Sequence, residues 1–363
     1  MNKTTKWVIA IVVVVVLIIA GVEIYSAVTA KPVKEVIVYA DYGPSTVQPY
    51  FNAFTNATGI KVVPVYGAMG DLTGKLIASA GAPSADVLFG GAPSAYITAN
   101  ESGIFQSYTP PAIANQSEYI GPNHNVLWRA GDWTWYPFTF AVIGLSVNTN
   151  VIGNSTLAKL TSWNNLTSPQ FKGKIILENP ATSTTTGIAV YSLIWQYDIQ
   201  EYGWTAGNAT FHRYMHALEN NSVSTVQSDD ENAEVALGTA SSTGPGITFD
   251  WSYMPTLYAE QNGYPLVPKL MNNTVIGPTA MAIIKGAPHM TYAQDFVNWV
   301  LSTAGQKELG VVFHKPPIVP GLPVPPGSYS LTQMEQIAFP YSQTFTSSEA
   351  SNITAIFNEY APS

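Results

Sequence analysis

The stretch Val36-Ile37-Val38-Tyr39-Ala40-Asp41-Tyr42-Gly43-Pro44-Ser45 decides the fold. Five apolar or aromatic residues in a row read as a strand buried on both faces. The Asp-Tyr-Gly-Pro-Ser turn breaks the run, and Val47, Tyr50, Phe51 and Phe54 then recur at helical spacing over 47–55. Gly59 closes that helix, and Ile60–Val65 reads as a second strand. Gly70-Asp71-Leu72 opens a helix through Ala80, and Asp86–Phe89 is a third strand ending at Gly90-Gly91. Strands alternating with helices predict an α/β fold with a mainly parallel sheet, helices covering both faces.

Working outward, the same alternation continues. The pattern predicts strands at Val142–Val147, Lys174–Leu177, Gly246–Phe249 and Ala280–Ile284. It predicts helices over Ile188–Tyr197, Ala209–Glu219, Asn232–Leu237 and Thr291–Leu301. A proline-rich segment, with Pro at 316, 317, 320, 323, 325 and 326, follows. No repeat of solenoid period interrupts the pattern.

Composition narrows the function. Only 10% of the 363 residues are charged, the net charge is -8, and there is no Cys. An acidic chain lacks the basic footprint of a nucleic-acid binder. The absence of Cys removes disulfides, thiol nucleophiles and Cys-based metal sites. High apolar content at low charge excludes a disordered chain. Few Lys and Arg also mean little self-repulsion in acid, so an acidic exterior is the expectation.

The N-terminus supports export. Lys3 and Lys6 precede the apolar run Trp7–Val22. Residues 1–30 read either as a signal peptide, cleaved after Val28-Thr29-Ala30, or as a membrane anchor. Both place the remainder outside the cytoplasm. Asn56, Asn100, Asn115, Asn154, Asn165, Asn208, Asn220, Asn272 and Asn352 lie in N-x-S/T sequons, consistent with a glycosylated extracellular surface.

Several segments carry a family resemblance. Phe54-Thr-Asn-Ala-Thr-Gly59-Ile-Lys-Val resembles the F…TGI.V segment of bacterial and archaeal extracellular solute-binding proteins, and Ala85-Asp86-Val87 resembles their ADV strand. Trp163-Asn-Asn-Leu-Thr-Ser-Pro-Gln-Phe-Lys-Gly-Lys174 resembles their W.DL..P.FKGK segment. Asn179-Pro180…Ser183…Gly187 is similar to a ligand loop of that family. Gly277–Pro288 and Ala293–Gln306 resemble its later segments, in the right order. The resemblance points to the branch that binds ferric iron, phosphonates or thiamine for ABC importers.

That resemblance implies a two-lobed fold of the periplasmic-binding-protein type II class, with the ligand in the cleft. Lobe one would comprise 35–142 and 278–345, lobe two 143–277, and 346–363 would form a C-terminal helix or tail. Hinges would fall near Ile143–Asn148 and Val275–Thr279. It implies a monomeric receptor that takes a small molecule or ion, needs no cofactor, and delivers to an ABC permease in the membrane.

Three turns are candidate ligand-binding elements, because helix N-termini and free N–H groups favour anions. They hold Tyr42, Ser45 and Thr46; Gly91; and Ser183, Thr184 and Thr185. Ordinary helix capping is the competing account of each. Trp135 and Tyr136, with Trp128 and Trp133 nearby, offer faces for stacking, as do Trp251 and Tyr253 beside Asp250. Core packing competes for any single one of these aromatics. Tyr253 is the candidate metal ligand if the solute is iron, although the adjacent tyrosine pair of iron-binding relatives is here Asp250-Trp251-Ser252-Tyr253.

Arg129 and Arg213 are the two arginines, so the expectation is selectivity from backbone N–H, hydroxyls and aromatic faces rather than a charge clamp. His212 and His216 lie four apart but lack the zincin glutamate, and Asp229-Asp230-Glu231 reads as a solvated helix start. No nucleophile elbow, Walker A loop or dinucleotide fingerprint is present. A sugar-binding receptor, an extracellular glycan hydrolase and a non-transport envelope protein on the same fold remain the alternatives.

Overall fold

The computed structural model describes residues 34–120, 126–181, 186–226, 230–326, 328–339 and 347–360. The N-terminal segment 1–30 lies outside the described residues, as do Ser183, Thr184 and Thr185. Among the described residues no helix is long and apolar enough to cross a membrane.

Twelve strands are described: β1 Glu35–Ala40, β2 Lys61–Tyr66, β3 Val87–Phe89, β4 Phe105–Gln106, β5 Tyr119–Ile120, β6 Val126–Leu127, β7 Tyr136–Asn148, β8 Ile175–Glu178, β9 Ser222–Val226, β10 Ile247–Trp251, β11 Leu266–Lys269 and β12 Ile276–Ile284. The main sheet runs β2-β1-β3-β12-β7-β10-β8-β9, with β4 paired to β12 and β11 paired to β7. β1 and β3 are parallel, as are β8 with β9 and β10 with β8. β12 and β7 are antiparallel, as are β10 and β7. The fold is α/β and two-lobed, each lobe a sheet flanked by helices.

Helix Pro44–Thr58 illustrates why the sequence folds this way. Pro44 stands at its first position, where a missing N–H costs nothing. Val47, Tyr50, Phe51 and Phe54 are the buried stripe, and Gly59 ends the helix in the left-handed region at φ 71°, its N–H donating to the Thr55 carbonyl. Tyr50, Phe51 and Phe54 meet Phe89, Phe296 and Trp299 at ring-centroid distances of 5.1–6.1 Å.

β7 is the organising strand, and all thirteen of its residues are buried. Its first half pairs with β12, from Tyr136 opposite Met281 to Val142 opposite Ile276. Its second half pairs with β10 and β11. Phe138, Phe140 and Val142 face the core containing Val36, Tyr50 and Phe89. Ile143, Leu145 and Val147 face the core containing Trp163, Tyr191 and Phe249. Side chains alternate along a strand, so the change from even to odd positions means the two cores lie on opposite faces of the same ribbon. The first core also takes Phe296, Leu309 and Met334 from the C-terminal third, while Phe339, Ile353, Ile356 and Phe357 return to the second.

The proline-rich segment is tied to this crossing. The Thr139 hydroxyl donates to the Pro316 carbonyl at 2.9 Å, and Thr139 and Pro317 form an isolated bridge. Gln306 donates to the Phe138 carbonyl and accepts from Ile318 N–H, both at 2.8 Å. These bonds hold residues 315–318 against the strand that passes between the cores.

Candidate functional site

A cavity of about 280 Å³ opens where the two cores meet. Asp41, Tyr42, Gly91, Ala92 and Lys315 come from the side of the first core. Trp251 and Tyr253 come from β10 and the turn after it, and Trp251 packs on the second core. Ala141, Gly277, Pro278 and Thr279 form the floor, on β7 and β12.

Backbone geometry sets the first wall. Gly90 and Gly91 have φ of 105° and 76°, values that L residues with side chains rarely adopt. Gly90 N–H donates to the Ala280 carbonyl, and Ala280 N–H donates to the Gly91 carbonyl, pinning the turn to β12. The turn feeds helix Pro93–Asn100, whose N-cap Ala92 provides no side-chain cap bond. Helix Pro44–Thr58, next to Tyr42, is likewise uncapped by a side chain at Gly43. Two helices thus begin beside the cavity; Pro44 and Pro93 carry no N–H, and the Thr46, Val47 and Ala95 N–H groups already donate to the Gly43 and Ala92 carbonyls, so the backbone that lines the wall is the Gly91-Ala92 turn.

Lys315 supplies the charge. It is 7% exposed, and its ammonium lies 4.9 Å from the Tyr253 ring centre and 5.7 Å from that of Tyr42. Nζ donates to the Thr279 hydroxyl at 3.4 Å. Burial pulls its pKa down to about 8, with Asp41 opposing the shift. Burial pushes the Asp41 carboxyl up, offset by a hydrogen bond from the Met69 backbone and by Lys315. Burial also pushes the Tyr42 phenol up, and neighbouring Asp41 adds to it. The aromatic faces give Lys315 cation–π stabilisation but leave ammonium donors available to a ligand.

Of the residues named from sequence, Tyr42, Gly91, Trp251 and Tyr253 line this cavity. Asp250 is buried on β10 beside it and accepts from Trp251 N–H at 2.6 Å. Ser45 and Thr46 occupy the exposed first turn of helix Pro44–Thr58 and do not line the wall. Trp135 and Tyr136 correct the stacking expectation. Trp135 is 2% exposed and packs against Tyr96, and Tyr136 is fully buried at the start of β7. Both fill core volume, which is where large apolar rings gain most.

Lys315 adds one buried charge to a cavity for which the sequence reading expected none. Both arginines are elsewhere. Arg129 stacks 3.7 Å above Trp133 and donates to the Gln116 and Ala130 carbonyls, while Arg213 donates to Thr210. His212 and His216 pack edge-on against Tyr360. Sequence reasoning missed Asp41, Ala141, Gly277, Thr279 and Lys315. Asp41 adjoined a named turn; Lys315 had one local signal, a lysine fixed ahead of two prolines.

Gly91 gives a direct test of the wall. A Cβ there would overlap the Met69 methyl and stand 3.2 Å from the Asp41 carboxylate, at a φ that penalises side chains. Gly91→Val is expected to lower ligand affinity at least tenfold by isothermal titration; unchanged affinity would remove this turn from the site.

The comparisons with known proteins follow this geometry. The family model described as bacterial extracellular solute-binding protein matches residues 50–334. The phosphoglycerate transport regulatory protein PgtC of Salmonella typhimurium is 28% identical over 170 residues, covering 46% of this chain and 38% of that protein. This chain therefore aligns with well under half the length of that relative. Iron uptake protein A1 of Synechocystis is 22% identical over 80% of this chain and 78% of its own. Among solved structures, iron-bound HitA from Pseudomonas aeruginosa superposes with a TM-score of 0.66 at 20% identity, covering 90% of this chain and 99% of that one. AfuA from Actinobacillus pleuropneumoniae, with fructose-6-phosphate bound, gives 0.62 at 21% identity over 90% and 97%. At such identities the superpositions speak for the fold, and the family match extends from the first helix to the helix after the proline-rich segment. The chain belongs to the bacterial extracellular solute-binding protein family.

Proposed function

We propose that this protein is the extracellular receptor of an ABC importer, and that its solute is a small oxyanion of the phosphonate or phosphate-ester class. The observation that carries this reading is Lys315, a buried ammonium that lines a cavity between the cores and lies against the Tyr42 and Tyr253 rings. A phosphoryl group would accept from Lys315 Nζ and from N–H groups of the Gly91-Ala92 turn, and the Trp251 and Tyr253 faces would cover its organic part. At about 280 Å³ the cavity is at the small end for ligand sites, which suits a compact solute. The names of PgtC and of the fructose-6-phosphate complex of AfuA agree with this class.

Binding would work by closure. β7 and β12 run from one core to the other, which supports hinges near 142–143 and 275–276. A ligand that touches both walls favours the closed state, and closure presents both lobes to the permease. The receptor acts as a monomer, either released or held at the outer membrane face by residues 1–30.

A second reading is ferric iron. Tyr42, Tyr253 and Asp41 bring three oxygen donors to one cavity. Against it, Lys315 repels a bare cation, and the upward shift of the Tyr42 phenol disfavours the phenolate an iron site uses. A thermal-shift and titration series with phosphoglycerate, fructose-6-phosphate, methylphosphonate, thiamine, maltose and ferric citrate separates the classes. The expected result is stabilisation by one or more of the phosphorus compounds. Stabilisation by maltose or thiamine alone overturns the oxyanion reading, and tyrosinate colour with ferric citrate selects the second.

A further inference from the structure

We propose that a second pocket, lined by Ser162, Asn164, Tyr197, Asp198, Asn272 and Asn273, binds a hard divalent cation of the calcium class. It shares no lining residue with the interlobe cavity and encloses about 60 Å³, room for one ion with a water or two.

Asp198 carries the argument. It is 5% exposed on helix Thr186–Tyr202, and its Oδ2 is buried without a hydrogen-bond partner. A buried carboxylate oxygen without a partner is costly, so an unfilled ligand position explains it better than a structural role. Among the described residues no ion pair reaches Asp198. Arg213 acts on it from the next helix, but its guanidinium is hydrogen-bonded to Thr210, and burial still holds the Asp198 pKa up at about 6.

Trp163, Leu193 and Ile194 form an apolar part of the wall, while Ser162, Asn164, Asn272 and Asn273 offer hydroxyl and amide oxygens suited to a hard cation; neither sulfur nor imidazole contributes. Calcium takes six to eight such oxygens, and with one carboxylate its affinity is set near the weak end, on the order of 10⁻³ M. The wall is already braced. Trp163 Nε1 donates to the Asn273 carbonyl, and Asn272 N–H donates to the Thr161 carbonyl, each at 2.9 Å. Thr274, Val275 and then β12 follow, so a bound ion would fasten helix Thr186–Tyr202 to the base of a strand that crosses between the lobes.

Trp163 in the wall makes the site optically readable. With the secreted chain stripped by chelator, terbium titration excited through tryptophan is expected to give saturable emission that millimolar calcium displaces. Asp198→Asn, nearly isosteric and relieved of the buried charge, is expected to weaken terbium at least tenfold and to abolish the rise in Tm that calcium gives the unmodified chain. Asn164→Ala, on the exposed turn, is expected to weaken terbium several-fold. Emission unchanged in Asp198→Asn, or not displaced by calcium, overturns the site. Equal displacement by sodium or potassium at the same concentration overturns the divalent assignment.

Discussion

Lys315→Met is expected to abolish binding of the proposed phosphorus-containing solute while making the protein more stable. The two effects share one cause. A pKa drawn from 10.5 to about 8 means that holding the ammonium in the cavity costs about 3 kcal/mol relative to water. Met fills similar volume without that cost, and Asp41, released from the lysine's attraction, protonates more readily instead of remaining a lone charge. A rise of about 2–6 °C in Tm is expected, with affinity lowered at least a hundredfold. The unmodified protein should show the same chemistry in its pH profile. An anion binds the ammonium form, so affinity should be flat below pH 8 and fall about tenfold per unit above it. A Lys315→Met protein that binds normally, or a profile flat to pH 10, would place the anion elsewhere.

Stability is expected to be greater at pH 5 than at pH 8. Burial raises the Asp198 pKa from 3.8 to about 6 and the Glu219 pKa from 4.5 to about 7. Both oxygens of Glu219 are buried without hydrogen-bond partners. The native state therefore holds these protons more tightly than the unfolded chain. Their contribution is complete below the unfolded values and is lost as pH climbs through about 6 and 7. Between pH 5 and pH 8 the two shifts set a ceiling of about 4 kcal/mol, and residual solvation brings the expected loss to about 3 kcal/mol. Urea midpoints at the two pH values, in chelator, measure it, and Glu219→Gln should flatten the difference. A higher midpoint at pH 8 would contradict the assignment.

The fold was legible because its signals are local. Five apolar residues at 36–40 and a 3.6 period at 47–54 can be read without knowing their partners, and the structure places β1 and the first helix there. β7 was read only from Val142, although it begins at Tyr136, because Pro137 and the aromatic run before it broke the apparent strand. Pro137 is accommodated where the pairing with β12 shifts register, between Thr279 and Ala280. The site was legible only in part, and for a different reason. Tyr42 and Gly91 follow strands and lie where a helix begins, which sequence can say. Lys315 reaches the same cavity from the far end of the chain, held by Thr139 and Gln306, and no spacing rule connects it to Asp41. Trp135 and Trp251 have the same chemistry, and only packing separates the one that fills a core from the one that lines a cavity.

The long-range pairing of β12 also has a consequence for synthesis and secretion. β3 sits between β1 and β12, with Val87 opposite Ile283, so the first sheet keeps an open edge until the chain beyond Ile276 has emerged. The second core draws most of its residues from the continuous stretch between Ile143 and Val275 and can condense earlier. In a chain delivered from its N-terminus, most of the second core would be present before β12, and the β3 edge would stay unpaired until β12 arrives. High contact order slows that final step, and the waiting edge is where aggregation would begin in a chain delivered faster than it can close.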